Sequence, residues 1–336
     1  MKNLLYIGNQ LSKKDKTVST IDTLGQLLLN EGYPVITASK KQNKVLRLLD
    51  MLWHIIKYRN WIDYVLIDTY STQNFYYAYL CGQLSRFFKL KYIPILHGGN
   101  LPERLHKSPK LCKAIFKSAF KNVAPSKYLK FKFQEFGYHN LMVIPNSIEL
   151  KKHPFKERVF DTPKLLWVRS FAEIYNPLLA IKVLKALKDE KFDAELCMVG
   201  PDKDGSLNRA KAYAKALGVD VAFTGKLSKE AWIELSEGYN IFINTTNFDN
   251  MPVSVIEAMA LGIPIVSTNV GGLSFLIENG EEGMLVQPND INLFVGAIKK
   301  ILIEKKMTNK LIFKARNKAE QFDWGIVKNQ WNKLLI

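Results

Sequence analysis

The sequence predicts an α/β protein built from two doubly wound parallel-sheet domains. The chain has 336 residues, which corresponds to about two domains at roughly 150 residues each. Short, nearly continuous apolar runs alternate with longer helix-compatible stretches along the chain. Such runs are typical of parallel strands that are covered by helices on both faces. The runs fall into two sets, which indicates two sheets.

The elements follow one another in a regular order. In the first half, the predicted strands are 3–8, 34–39, 63–68, 92–97, 122–126 and 141–146. In the second half, they are 164–169, 194–200, 221–225, 240–245 and 264–268. Segment 22–32 is typical of the intervening helices and closes at Gly32. The last residues predict an amphipathic helix, whose apolar members are Trp324, Ile326, Val327, Trp331 and Leu334.

Segment 147–163 is the predicted boundary, because it is charged, contains two prolines and has no clear periodicity. The predicted domains are therefore 1–155 and 156–320, and the helix within 321–336 is expected to pack back toward the first domain. Ligands of open parallel sheets bind beyond the carboxyl ends of the strands. If the two domains face each other across a cleft, the functional residues should lie just after strands.

The basic charge is concentrated in one half of the chain. The net charge is +17; residues 1–155 hold 24 Lys and Arg against 9 Asp and Glu, which gives +15, and residues 156–336 hold 24 against 22, which gives +2. A basic half indicates an anionic partner such as a membrane, an anionic substrate or a nucleic acid. The alternative is an AT-rich genome that raises lysine content throughout.

Cysteine content and hydropathy exclude several classes of protein. The three cysteines form no CxxC pair, so a disulfide framework or a cysteine zinc site is not expected and a reducing compartment is favoured. The apolar run at the start is too short for a signal peptide. No stretch reaches the roughly 18 apolar residues of a membrane-spanning helix.

Segment 244–272 reads as strand, loop, helix, strand and loop, and it carries two spaced carboxylates. Asn250 is the predicted cap of a helix that begins near Pro252, and the start of this helix suits a diphosphate. Asp249 precedes the helix and Glu257 lies eight positions later, about 12 Å along a helix that rises 1.5 Å per residue. One carboxylate is expected to bind the ribose of a nucleotide and the other a transferred sugar.

The segment carries Asp249, then seven further residues, then Glu257-Ala-Met-Ala-Leu-Gly-Ile-Pro264, and later Gly271-Gly272. This pattern resembles the signature of the retaining nucleotide-sugar glycosyltransferases of family four. That family has the GT-B fold, with two Rossmann-like domains. The first acid is Asp here rather than the commoner Glu, but it still supplies a carboxylate. The resemblance implies transfer of a hexose-type sugar from a nucleoside diphosphate to an acceptor hydroxyl, without a metal or other cofactor.

The resemblance also assigns roles to single residues. Arg169 matches a phosphate-binding arginine, whereas the lysine that often accompanies it is replaced within Ile174-Tyr175-Asn176. His97 ends an apolar strand where the family often has a histidine near the transferred sugar. The predicted catalytic residues are His97, Asp249 and Arg169. The predicted donor-binding residues are Glu257, Asn250, Met251, Pro252, Val253, Lys226, Gly98 and Gly8.

Lys226 is the candidate for the missing cation, with a solvated loop lysine as the alternative. No metal ligands are predicted, because Asp202 and Asp204 and the pair 189–190 are interpreted as loop charges. Lys13 and Lys14, after the first strand, are either contacts to an anionic acceptor or solvated.

Lysines alternate with apolar residues in segment 107–133. Leu111, Ile115 and Ala119 would share one helix face, and the opposite side would carry Lys110, Lys113, Lys117 and Lys121. This pattern predicts a helix on an anionic membrane surface; an ordinary packed helix with a basic solvent face is the alternative. The expected setting is a cytoplasmic enzyme, peripheral on the inner face of a bacterial membrane, acting on a saccharide or lipid-linked saccharide of the cell surface.

Two rival functions remain open from the sequence. One is a GT-B epimerase that acts on the nucleotide sugar without an acceptor. The other is a nucleic-acid-binding protein that uses the basic half, although no recognised binding motif is present. We therefore expect no nucleic-acid partner.

Overall fold

The computed structural model describes residues 1–11, 19–97 and 99–336, so the predictions for Lys13, Lys14 and Gly98 lie outside the described residues. The chain divides into two compact units, Met1–Pro145 with Asn329–Ile336 and Asn146–Lys328. The boundary falls at Pro145 rather than at the predicted 155, because the segment after it packs on the second unit. Ile148 is buried there, and its backbone N–H donates to the carbonyl of Phe322 at 2.9 Å.

The first unit is built on a parallel sheet in the order β2-β1-β3-β4-β5-β6. The strands are β1 (Leu4–Ile7), β2 (Val35–Ala38), β3 (Tyr64–Thr69), β4 (Lys91–Leu96), β5 (Asn122–Ala124) and β6 (Leu141–Val143). All six strands predicted in the first half are present. The strand order reverses between β1 and β3, and such a switch point opens a crevice at the carboxyl ends of the strands.

Six helices of the first unit connect these strands. They are α1 (Thr20–Asn30), α2 (Lys44–Tyr58), α3 (Phe75–Phe87), α4 (Leu101–Lys107), α5 (Pro109–Phe116) and α6 (Lys127–Glu135). Two of them begin at side-chain caps, since Asn43 accepts from the first turn of α2 and Ser126 accepts from Leu129 N–H in α6. Phe116, at the end of α5, is fully buried among the rings of Phe75, Phe133 and Tyr138.

The basic helix predicted within 107–133, with lysines from Lys110 to Lys121, ends earlier than that pattern indicates. Helix α5 ends at Phe116, Lys117 is its C-cap, and Lys121 immediately precedes β5. Ile115 and Ala119 are buried in the core of the unit, so these apolar side chains have no surface to offer a membrane. The alternative, a packed helix with a basic solvent face, describes α5.

The second unit contains another parallel sheet, in the order β12-β11-β10-β7-β8-β9. Its strands are β7 (Lys164–Val168), β8 (Glu195–Val199), β9 (Ala222–Gly225), β10 (Ile241–Asn244), β11 (Ile265–Thr268) and β12 (Met284–Val286). Five of them match the prediction. Strand β12 was not predicted, although it is as long as β5 and β6, which were. The switch point of this sheet lies between β7 and β10.

Helices cover both faces of the second sheet, and separate apolar clusters lie on the two sides. The helices are α7 (Pro177–Asp189), α8 (Ser206–Ala216), α9 (Lys229–Leu235), α10 (Val253–Ala260), α11 (Leu273–Leu276), α12 (Ile291–Ile303) and α13 (Lys305–Glu320). Arg158, at the start of the unit, donates to the carbonyls of Tyr239 and Leu261 at 2.9 and 2.6 Å. Burial lowers the pKa of this guanidinium to about 10.

The predicted tail helix is present as α14 (Trp324–Leu334). Four of its five predicted apolar members are buried, whereas Ile326 is 50% exposed. The prediction for Ile326 was therefore wrong: this position lies on the solvent side of the helix. Residues 329–336 group with the first unit, where the Tyr64 hydroxyl donates to the carbonyl of Ile336 at 2.7 Å. None of the helices in the described part of the chain is both long enough and apolar enough to span a bilayer.

Candidate functional site

In the second unit, two of the predicted functional residues, Arg169 and Asp249, meet at the switch point. Arg169 directly follows β7, and Asp249 lies in the loop after β10. A guanidinium nitrogen of Arg169, Nη2, forms an ion pair with Oδ2 of Asp249. The two side chains are only 16% and 13% exposed, so each charge is largely removed from water and depends on the other.

The Arg169 side chain is fixed on a second side by an aromatic ring. Its Cζ lies 4.1 Å from the ring centroid of Tyr175, a cation–π contact that holds the guanidinium plane. Its Nε is buried and has no hydrogen-bond partner within residues 1–11, 19–97 and 99–336. A buried cationic donor without an acceptor is unfavourable, so this atom marks a position where an anionic ligand would be stabilised.

The Asp249 loop depends on the Gly271-Gly272 pair. Oδ1 of Asp249 accepts from the N–H of Asn250 at 2.8 Å, and its carbonyl accepts from the N–H of Gly272 at 2.9 Å. A Cβ at Gly271 would lie 2.1 Å from the Asp249 carbonyl oxygen, and one at Gly272 would lie 1.8 Å from that of Asn250. Only glycine permits this approach of the two loops.

Helix α10 starts one residue later than expected. Pro252 is its N-cap, in an extended conformation, and Val253 is its first helical residue. The prediction that Asn250 caps the helix was therefore wrong. Asn250, Met251 and Pro252 are buried in the loop that leads into the helix. The first N–H groups of a helix have no partner within the helix, and the nearby Oγ of Ser254 is buried without a hydrogen-bond partner among the described residues.

Glu257 lies in the second turn of α10 and is 4% exposed. Its Oε1 forms an ion pair with Nζ of Lys229 and lies 3.7 Å from Nε2 of His153. Neither contact has hydrogen-bond geometry, and in the part of the chain that the structure describes both Oε1 and Nε2 lack a hydrogen-bond partner. The carboxylate is therefore neutralised by charge while Oε1 keeps its capacity to accept a hydrogen bond.

Sequence reasoning missed both neighbours of Glu257. Lys229 is the first residue of α9, three positions after the predicted Lys226, and a lysine directly after the capping Ser228 was the available signal. Lys226 itself is exposed in the loop after β9, and its role in donor binding stays a prediction. His153 lies in the predicted linker, where nothing in the sequence distinguishes it.

In the first unit, His97 directly follows β4 and contacts a buried acid. Its Nε2 lies 2.7 Å from Oδ1 of Asp68, and the Asp68 side chain is completely buried. The hydroxyl of Tyr6 donates to the same Oδ1 at 2.9 Å, and that of Tyr77 donates to the Asp68 carbonyl at 2.7 Å. Burial, followed by the charge of Asp68, raises the pKa of Tyr6 well above its ordinary value, so Tyr6 remains a proton donor.

Gly8 provides the space that the Asp68 carboxylate occupies. A Cβ at Gly8 would lie 2.6 Å from Oδ2 of Asp68, an oxygen that is buried with no hydrogen-bond partner in residues 1–11, 19–97 and 99–336. The predicted donor contact of Gly8 stays a prediction, and the structure gives this glycine a packing role. Asp68 was not predicted; the signal was an acidic residue ending an apolar strand next to the strand that carries His97.

Among the described residues, no group of three or more His, Cys, Asp or Glu side chains is placed to hold a metal ion. Asp202 and Asp204 accept hydrogen bonds from the backbone N–H groups of Gly205 and Glu173 at 3.0 and 2.9 Å. These two carboxylates organise the loop after β8, in agreement with their interpretation as loop charges.

Comparisons with known proteins agree with this layout. Residues 150–318 match the family model described as glycosyl transferases group 1. Over 152 residues, the sequence is 28% identical to the sulfoquinovosyl transferase SQD2 of Arabidopsis thaliana, covering 43% of this chain and 28% of the relative. Over 200 residues, it is 24% identical to the UDP-Gal:alpha-D-GlcNAc-diphosphoundecaprenol alpha-1,3-galactosyltransferase of Escherichia coli, covering 53% and 49%. The chain spans between about a quarter and a half of the length of these curated relatives.

Solved structures resemble the whole chain. The sucrose-phosphate synthase of Thermosynechococcus elongatus has a TM-score of 0.83 at 16% identity, covering 99% of this chain and 98% of that one. The HepE protein of Anabaena, in complex with UDP and glucose, has a TM-score of 0.78 at 16% identity, covering 100% and 99%. At these identities the likeness establishes the fold, and it confirms two Rossmann-like parallel-sheet domains.

The hydrogen bond from Tyr6 to the buried Asp68 carboxylate can be tested by stability. We expect Tyr6→Phe to lower the free energy of unfolding by about 1.5–3 kcal/mol, the range for a hydrogen bond to a charged group. Tyr76→Phe is the matched control, because Tyr76 is 51% exposed, and it should leave stability unchanged. Urea unfolding followed by circular dichroism measures both, and equal stability of the two variants would contradict the buried network.

Proposed function

Because this chain belongs to the glycosyl transferases group 1 family, we propose that it is a retaining glycosyltransferase of the GT-B fold that needs no metal. It moves a hexose-type sugar from a nucleoside diphosphate to an acceptor hydroxyl. The observation that carries the proposal is the buried pair of Arg169 and Asp249 at the switch point of the second sheet, next to the start of α10.

The diphosphate binds where positive potential is available and unsatisfied. Arg169 presents the unpaired Nε, and the start of α10 adds free N–H groups and the positive end of the helix dipole. The phosphate oxygens compete with Asp249 for the guanidinium. These groups stabilise the negative charge that develops on the departing diphosphate, which is the main electrostatic requirement of the transfer.

The two carboxylates bind different parts of the donor, the ribose and the transferred sugar. Glu257 accepts hydrogen bonds from the ribose hydroxyls at Oε1, which has no hydrogen-bond partner among the described residues, and the ion pair with Lys229 balances its charge. Asp249, released from Arg169 by the phosphates, accepts from hydroxyls of the transferred sugar. This division follows their order along the chain, with Asp249 ahead of the helix and Glu257 inside it.

His97 is the catalytic group of the first unit, and Asp68 is its positioning residue. The contact with Asp68 occupies Nε2, so Nδ1 is the ring nitrogen left to meet a saccharide hydroxyl. Tyr6 and Gly8 act through Asp68, the first as a hydrogen-bond donor and the second by leaving room for the carboxylate.

The acceptor is a saccharide of the bacterial cell surface, carried on a lipid at the inner face of the cytoplasmic membrane. Two observations support this setting. The excess of basic residues in the first half suits an anionic surface, and the name of the Escherichia coli relative specifies a diphosphoundecaprenol-linked acceptor.

Replacing Arg169 should affect the binding of a nucleoside diphosphate much more than the binding of the nucleoside alone. We expect Arg169→Ala to weaken binding of the preferred member of a UDP, GDP and ADP panel by about 10- to 150-fold, corresponding to about 1.5–3 kcal/mol for a charged hydrogen-bond partner. Binding of the matching nucleoside should be nearly unchanged. Arg209→Ala, at an exposed arginine of the same unit, is the control. Calorimetry measures all three proteins, and equal losses for diphosphate and nucleoside would mean that Arg169 only supports the fold.

The two carboxylates should give opposite kinetic signatures. Glu257→Gln should weaken nucleoside diphosphate binding by about 1–3 kcal/mol. Asp249→Asn should reduce transfer strongly without lowering diphosphate affinity, because Arg169 loses its internal competitor. Glu234→Gln, on the exposed side of α9, controls for loss of a surface charge. Sugar transfer and nucleotide binding are measured separately, and full turnover of Asp249→Asn would refute its placement at the donor sugar.

Chelation tests the proposed independence from metal. Arg169 and the start of α10 supply the charge stabilisation that a divalent cation supplies in other transferases. We expect the transfer rate to be unaffected by EDTA after dialysis. Complete inhibition that added Mg²⁺ or Mn²⁺ reverses would overturn the metal-free mechanism.

A further inference from the structure

Helix α2 is apolar on two opposite sides. Met51 and Ile55 are buried in the core of the first unit, as expected for a helix on a sheet. The other side exposes five large apolar side chains, with exposed fractions from 37% to 65%: Val45, Leu46, Leu49, Trp53 and Ile56. At 100° per residue these five fall within an arc of about 100°, so they form one continuous stripe.

Helix α3 runs beside α2 and carries a second stripe. The two helices pack together; near their starts Lys44 Nζ donates to Gln73 Oε1 at 3.1 Å, and near their ends Arg59 lies 5.8 Å from the ring centroid of Phe88. The helices are therefore parallel neighbours. The exposed apolar residues of α3 are Tyr76, Leu80 and Phe87, at 51%, 39% and 76%. We call these three residues and the five on α2 the α2–α3 face.

Basic side chains flank this face at both ends. The exposed cations near the start of α2 are Lys40, Lys41 and Lys44, and those near the ends of the two helices are Lys57, Arg59, Arg86 and Lys89. Asp50 is the single acidic residue in segments 40–60 and 70–90, and it lies beside His54. An apolar stripe flanked by cations is complementary to a bilayer that has an apolar interior and anionic headgroups.

We infer that the α2–α3 face is the surface through which this protein docks on an anionic membrane. Trp53, Leu49 and Phe87 enter the boundary between headgroups and acyl chains, and the flanking cations bind phosphate groups. A second copy of this chain fits the face less well, because a two-fold contact would bring the same cations together. The purpose of docking, access to a lipid-borne acceptor, rests on the proposed function.

This assignment differs from the one that the sequence pattern suggested. In α5 the apolar residues Cys112, Ile115 and Phe116 are buried, so its lysines offer charge alone. In α2 the apolar residues themselves are available. The two helices therefore make different predictions for the same measurement.

Vesicle sedimentation compares the two helices directly. The wild-type protein should pellet with phosphatidylglycerol–phosphatidylcholine vesicles and remain in solution with pure phosphatidylcholine. The double variant Leu49→Gln/Trp53→Gln should partition into the pellet at least about tenfold less, since burial of one large apolar side chain accounts for roughly that factor. The matched control is Leu293→Gln/Ile303→Gln, two exposed apolar residues on α12, and it should pellet like the wild type.

Trp53 provides a direct reading of insertion. It is 58% exposed, while Trp167, Trp232, Trp324 and Trp331 are at most 8% exposed, and Trp61 is partly buried against the core of the first unit. Brominated phosphatidylcholine in the anionic vesicles should therefore quench tryptophan fluorescence on binding. Trp53→Phe should still pellet but should lose most of this quenching, which distinguishes insertion from charge attraction alone.

Three outcomes would overturn the inference. They are no pelleting of the wild type with anionic vesicles, unchanged pelleting of Leu49→Gln/Trp53→Gln, and loss of pelleting only when Lys110, Lys113 and Lys117 are changed to Gln. A wild-type dimer that Leu49→Gln/Trp53→Gln converts to a monomer, without vesicle binding, would instead make the face a contact between copies.

Nucleotide binding separates this test from that of the proposed function. Wild-type and docking variants are titrated with the UDP, GDP and ADP panel without vesicles. Retained nucleotide binding together with failed vesicle binding rejects the docking surface alone. Vesicle insertion without any nucleotide binding supports the surface and rejects the transferase proposal.

Discussion

The ion pair between Arg169 and Asp249 is the constraint around which the second unit is arranged. Both side chains are largely removed from water, and a buried charge without a counter-charge is strongly unfavourable. Several neighbouring elements position this pair. Strands β7 and β10 bring the two residues to one sheet edge, and the Tyr175 ring contacts the guanidinium. The glycines at 271–272 allow the Asp249 loop to approach closely. In the proposed function, a ligand with its own negative charge replaces Asp249 without leaving the arginine unpaired.

The first unit also has a charged side chain removed from water near its switch point, but there the central group is an acid rather than an arginine. Asp68 is a buried acid at the end of β3, beside the switch point of its sheet, and its carboxylate is stabilised by His97 and the Tyr6 hydroxyl. In both units some buried polar atoms lack hydrogen-bond partners within the described residues: Nε of Arg169 and Oδ2 of Asp68 at strand ends, and Oε1 of Glu257 in α10. Folded proteins rarely leave such atoms unsatisfied away from functional sites.

Helices α2 and α5 show how tertiary packing decides the meaning of an amphipathic pattern. Both combine apolar and basic residues, and the lysines from Lys110 to Lys121, in and after α5, recur every three or four residues. The aromatic cluster around Phe116 packs against the apolar side of α5 and buries it. Helix α2 has apolar residues on two sides, and the sheet covers one of them, so that the side with Leu49 and Trp53 remains exposed.

The sequence by itself determined the two parallel sheets, because each strand is a local apolar run. It predicted Asp249 and Glu257 as site residues from their local spacing, and Arg169 from the resemblance of the segment around it. It missed β12, although the equally short β5 and β6 were predicted. Only the tertiary structure paired His97 with Asp68, 29 positions away, and placed Lys229 against Glu257. Such pairings depend on which strand ends and helix starts become neighbours in the folded chain. Strand order and helix packing decide those neighbours, and local sequence patterns do not encode them.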